Sequence, residues 1–187
     1  MSEINKIIRA RKSVYPLQFI DKEIPNEIIW ELLENANHAP THRLTEPWRF
    51  KVFKEEGKRK LGDFLANKYK EITPDYNPSK FEKIKGNTEK SGAVIALILH
   101  RDPQERVPEW EEIAAISCSV QNIWLGLNQY DLGGYWSTPA LTKYLGEIVD
   151  LKENESCIGF FYLGYCNSND RIIKKKTIKD KVEFIEE

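Results

Sequence analysis

Ala93–His100 reads AVIALILH, seven apolar residues in a row before the first polar one. An apolar run without alternation, rich in β-branched residues, predicts a strand buried on both faces. Such a strand needs a layer of structure above it and another below. Cys157–Tyr165 (CIGFFYLGY) predicts a second buried strand. In Trp48–Phe53, Trp48, Phe50 and Val52 alternate with Arg49, Lys51 and Phe53, the pattern of a half-buried strand. Tyr135-Trp136-Ser137 predicts a short one.

Helices fall between these strands. Ile4, Ile7 and Ile8 mark a first helix over Ser2–Ala10 with Ser2 as its N-cap, stopping near Lys12 before Pro16. Pro25 opens a second, with Ile28, Ile29, Leu32, Leu33 and Ala36 as its buried stripe. Glu55–Ile72 is amphipathic through Leu61, Phe64, Leu65 and Tyr69, and Leu141–Gly146 is one or two turns. Glu109–Tyr130 is the longest predicted helix and is apolar nearly all round, so it is either central or at a subunit interface. Gly133-Gly134 reads as its C-terminal stop. The Pro/Asn/Tyr-rich Thr73–Ser79 and the densely charged Lys80–Lys90 predict a mobile, exposed excursion over 73–90. The pattern predicts an α+β fold, a three-layer α-β-α sandwich forming a single domain over 1–187 with a tail at 166–187.

At 187 residues, 41% hydrophobic and 30% charged, the chain suits one domain or half of an intertwined dimer. A net charge of −1 gives no electrostatic attraction to nucleic acid or a membrane surface. Cys118, Cys157 and Cys166 form no CxxC pair, which argues against a disulfide framework or zinc site and for a reducing cytoplasm. The N-terminal MSEINKIIRARKS has no apolar signal region, and no stretch approaches a membrane span.

Three segments could carry chemistry. Arg11-Lys12-Ser13 stands where the first helix ends; two cations and a hydroxyl suit a phosphate, although such a trio is by itself a solvated basic helix end. Ala39–Phe50 (APTHRLTEPWRF) cannot be helical across two prolines, so its His, Arg, Thr and Glu sit on a loop between a helix and a strand. In Gly133–Thr138 (GGYWST) the glycines would let backbone approach a flat ligand.

In this order the three segments resemble the FMN-dependent nitroreductase family, and its small minimal members most. The likeness runs from Arg9 to about Gly164. Arg11 and Ser13, with Lys12 between them, match the family's R-x-S motif, which holds the FMN phosphate and ribityl chain. Tyr15 stands where members often carry a basic residue near the flavin pyrimidine. His42 matches the His that small members bring to the flavin from the opposite subunit; larger members have an Asn two residues on, where this chain has Leu44. Glu46 replaces the usual Gln, and Arg43 is an available cation for its carboxylate. Pro47-Trp48-Arg49-Phe50 completes that loop. Trp136, Ser137 and Thr138 follow the flavin-facing turn, with Ser137-Thr138-Pro139 where small members have Arg, Ser and Gly. Lys175, two residues before Thr177, corresponds to a basic phosphate ligand. The resemblance implies a mixed, mostly antiparallel sheet in an intertwined homodimer with two FMN sites. It implies ping-pong hydride transfer from NAD(P)H through flavin N5 to a small electron acceptor such as a nitroaromatic, quinone or enone, with no obligatory side-chain acid or base. A non-redox flavin- or ligand-binding protein on the same fold remains open, as does a flavin-fold enzyme of different reaction, such as flavin breakdown or dehalogenation.

Overall fold

Alternate residues of the AVIALILH run serve two different cores. Ile95, Leu97 and Leu99 face one core and Val94, Ala96 and Ile98 the other, each at most 1% exposed. The structure, a computed structural model, describes residues 1–167 and 175–186. Residues 168–174 and 187 of the expected tail lie outside the described residues.

Four strands, β1 (Trp48–Phe53), β2 (Ala93–His100), β3 (Leu132–Ser137) and β4 (Glu155–Tyr165), form one sheet in the order β1-β2-β4-β3. All three pairings are antiparallel. An isolated parallel bridge joins Ser13 to Gly134 at the β3 edge, outside the four strands, so the sheet itself is antiparallel rather than mixed. Helices α2 (Asn26–Asn37) and α5 (Glu109–Gly126) cover the first face through Ile29, Leu32, Ala36, Ile116, Val120 and Ile123. Helix α3 (Glu55–Ile72) covers the second through Leu61, Leu65 and Tyr69, joined by Leu141 and Leu145. The three-layer α+β architecture follows directly from the doubly buried strands.

Helix α1 (Glu3–Ala10) buries no residue in this chain, and Ile4 and Ile8 are exposed. Along α5, Trp110, Ile113, Ala114 and Cys118 form a second, exposed stripe opposite the core. Residues 175–186 are likewise exposed throughout, including Ile178, Val182, Phe184 and Ile185.

The expected excursion over 73–90 is instead mostly helix: α4 spans Pro78–Lys90 and packs on α3. Asn77 caps it by accepting the Lys80 N–H, and Pro78 occupies the first helical turn. Its charges lie outward, while Phe81 and Ile84 pack on the second core and Thr88 is fully buried over Gly62. Positions 81, 84 and 88 keep helical spacing, so a narrow buried stripe carries a helix that is otherwise charged.

Gly133-Gly134 does not stop α5. After a short 3-10 turn at Leu127–Tyr130, Asp131 takes the left-handed conformation (φ 54°) that ends the helix. The two glycines lie inside β3, where their missing side chains make room for the protein itself. A Cβ at Gly134 would fall 2.5 Å from Phe161 Cζ and 2.7 Å from Leu127 Cδ1. Gly134→Ala should therefore overpack the core and cost about 1–3 kcal/mol of unfolding free energy at unchanged denaturant slope. Wild-type stability in urea would show that the sheet yields freely there.

Between β2 and α5 the chain is tied by buried carboxylates. Glu112 accepts the Asp102 N–H at 2.9 Å and pairs with Arg101. Arg106 donates its side-chain Nε and its backbone N–H to Asp102, holding that carboxyl at about 2, below its usual 3.8. Because the folded value is depressed, the stabilisation is complete above pH 3.8 and disappears as pH falls towards 2. The stability difference between wild type and Asp102→Asn, followed by denaturant titration, should be constant at neutral pH and shrink over that acid range.

Candidate functional site

The basic trio is organised by Trp124, a residue of α5 far away in sequence. After α1 ends, Arg11 donates its backbone N–H to Ile7 O at 3.2 Å and turns the chain extended (ψ 125°). Trp124 Nε1 donates to Lys12 O at 3.1 Å, and the Arg11 guanidinium carbon stands 4.6 Å from the Trp124 ring centroid. A guanidinium over an indole face gains about 0.5–2 kcal/mol and loses freedom. Ser13 is fixed by its bridge to Gly134, with Val14 N–H donating to Gly134 O at 3.0 Å. The charge and hydroxyl are thus placed on rigid elements.

Arg11, Lys12 and Trp124 border a cavity of about 190 Å³, lined also by Asn128, Asp131, Gly133, Gly134 and Cys166. Burial pushes the Cys166 thiol up, so it lines the cavity as a neutral thiol. Two cations beside open backbone fit the phosphate end of a flavin nucleotide, and the Ser13 hydroxyl belongs to the adjoining residue outside the cavity lining. The cavity is smaller than the roughly 300–1,000 Å³ of sites that enclose small ligands.

Trp136, Ser137 and Thr138 continue along and beyond β3, on the same sheet edge as Gly134. The Trp136 indole is turned over Gly159, where its buried N–H has no acceptor among the described residues. Trp136 as a whole is half-buried. Ser137 is half-buried and Thr138 exposed. Lys175 sits in the exposed terminal segment.

His42 and Glu46 lie elsewhere. Their loop leads into β1, the opposite edge strand, three strand spacings or about 14 Å from β3. Arg43 (φ 53°), Leu44 (φ 52°) and Glu46 (φ 42°) all occupy the left-handed region, and none is glycine. Left-handed backbone at such residues costs about 1–2 kcal/mol each, so the surroundings must hold the loop. Thr41 and Thr45 hydroxyls meet at 3.1 Å, and Glu46 N–H donates to Thr41 Oγ1 at 3.2 Å. Arg49 donates to the carbonyls of Glu46 at 2.8 Å and Trp48 at 2.7 Å. His42 Nδ1 meets Glu111 Oε2 at 2.5 Å. The Glu46 carboxylate is exposed, and Arg43 is not paired with it among the described residues.

Helix α5 thus holds both clusters, one at each end. Glu111 contacts His42 and Trp124 holds Arg11, thirteen residues or about 20 Å apart along the axis. Sequence patterns missed both anchors. Glu111 is one of three acidic residues in the first turn of α5, where the helix dipole already accounts for them. Trp124 reads as one more apolar residue of the stripe.

The fold class and the clustered segments define an α+β protein of the nitroreductase type. The nitroreductase family model matches residues 8–165, and the chain belongs to the nitroreductase family. It is 29% identical over 183 residues to the Bacillus subtilis protein called "Putative NAD(P)H nitroreductase YfhC", covering 96% of this chain and 93% of that protein. Among solved structures, a nitroreductase-like family protein from Bacillus cereus superposes with a TM-score of 0.86 at 26% identity, covering 100% of this chain and 97% of the other. A Desulfovibrio desulfuricans protein called "a putative nitroreductase in complex with fmn" shares the fold with a TM-score of 0.74 at 20% identity, covering 100% of this chain and 98% of the other.

Proposed function

We propose that the chain is a cytoplasmic FMN-dependent oxidoreductase that uses NAD(P)H to reduce small acceptors such as nitroaromatics or quinones, working as a homodimer with two composite sites. The observation that carries this reading is the Arg11–Ser13 segment, held by Trp124 and bridged to Gly134 beside a small cavity. Arg11 and Lys12 supply charge to the FMN phosphate and Ser13 a hydrogen bond, while the backbone of Trp136, Ser137 and Thr138 borders the ring. Lys175 is a further candidate for the phosphate. The FMN complex of the Desulfovibrio relative supports the choice of cofactor. No helix among the described residues is long and apolar enough to cross a membrane.

The composite site follows from the two ends of α5. Two α5 helices packed antiparallel across a two-fold axis bring the Glu111 end of one beside the Trp124 end of the other. His42 and Glu46 of one protomer then border the Arg11 cavity of its mate. The exposed Trp110, Ile113 and Cys118 stripe, the bare α1 and the apolar tail supply area for that contact. Bound FMN would supply the hydride exchange, with NAD(P)H and acceptor taking turns at one face.

The test is a visible spectrum of the purified protein with and without added FMN, followed by anaerobic NADH or NADPH. Bound flavin that bleaches with either nucleotide is the expected result. Bound flavin that stays yellow favours the non-redox binding protein, and a protein that refuses FMN overturns the proposal.

A further inference from the structure

We infer that Glu111 is a positioning residue for His42, holding the imidazole with its Nδ1 proton on the carboxylate and its Nε2 turned outward to the ligand. The inference rests on the reading that His42 borders the bound flavin. The contact joins residues 69 positions apart at 2.5 Å, linking the loop to the first turn of α5. At that separation the Nδ1 proton lies between the two groups whether the ring is neutral or charged, since a carboxylate only accepts. The other ring nitrogen then points away from Glu111, and it has no hydrogen-bond partner among the described residues. A second observation is independent of the pair. The loop just after His42 carries three non-glycine residues with positive φ, a conformation that persists only where its surroundings impose it. Most of the other contacts of the loop are internal to it or to β1, through Thr41, Thr45 and Arg49. The Glu111 contact ties it to a core helix instead. Helix-dipole placement explains an acid in the first turn of α5, but not one that reaches a histidine in a strained loop.

The experiment compares wild type, Glu111→Ala, Glu111→Gln and His42→Ala as full-length protein. Nitrogen NMR of ¹⁵N-histidine-labelled protein at about pH 8.5, where a free imidazole is neutral, reads the tautomer. His42 in wild type should carry its proton on Nδ1, Glu111→Ala should lose that preference, and Glu111→Gln, which keeps an acceptor oxygen, should retain it. FMN titration should show binding weakened about tenfold by Glu111→Ala, restored largely by Glu111→Gln, and riboflavin should be weakened equally. In the His42→Ala background, Glu111→Ala should have no further effect, because it acts through the ring. A tautomer unchanged in Glu111→Ala overturns the inference, as does an equal loss of FMN with and without His42. Wild-type protein that binds no FMN overturns the functional reading beneath it, whereas the NMR result decides the contact by itself.

Discussion

Arg11→Ala should weaken FMN binding about ten- to a hundredfold and leave riboflavin binding nearly unchanged. The magnitude is that of a charge-assisted contact to phosphate, about 1.5–3 kcal/mol, with each 1.4 kcal/mol worth tenfold. The structure adds a reason to expect the upper half of that range. Arg11 already lies on the Trp124 ring, so little side-chain freedom is lost when a phosphate arrives. Its removal also uncovers Trp124 and frees some packing, which would disturb every ligand of the cavity alike. Riboflavin separates the two effects, because it lacks the phosphate but shares the ring. Arg11→Lys should fall between wild type and alanine, keeping the charge while losing the planar stack. Isothermal titration of both ligands into the apoprotein measures this. Equal losses for FMN and riboflavin would mean that Arg11 shapes the cavity and does not meet the phosphate.

The core of the fold was legible because its signal is local. AVIALILH is apolar at every position but the last and carries three β-branched residues, and a doubly covered strand hides its first seven side chains. The segment at 78–90 was misread because Phe81, Ile84 and Thr88 are too few to stand out among its charges, although they face one way. Asp131 could not be picked as the helix stop while two glycines stood nearby, since glycine is the commoner left-handed residue. Only the packing of Val14, Phe161 and Leu127 around β3 explains those glycines, and none of these contacts is visible in a linear pattern. For the candidate site the residue types were readable and the anchoring was not. Trp124 reaches Lys12 across 112 positions and Glu111 reaches His42 across 69. Left-handed Arg43 and Leu44 have no sequence mark either, because neither is a residue that favours that backbone.

Refolding Arg11→Ala and His42→Ala proteins together should restore tight FMN binding, and activity at limiting FMN, that neither possesses alone. Within one chain the α5 residues that hold His42 and Arg11, Glu111 and Trp124, lie about 20 Å apart along the helix axis, and the two segments adjoin opposite edges of the sheet. If each site is completed across a two-fold axis, both sites of either parent homodimer carry one lesion. A mixed dimer concentrates both lesions in one site and leaves the other intact. Statistical mixing makes half of the dimers mixed, each with one good site in two, so tight FMN binding and NAD(P)H oxidation should return to about a quarter of the wild-type level. Mixing without unfolding controls for slow exchange, and size-exclusion chromatography with light scattering verifies that the species are dimers. Activity equal to the average of the two parents would place the whole site within one chain. It would also leave the exposed stripe of α5, with Trp110 and Ile113, to be covered in some other way.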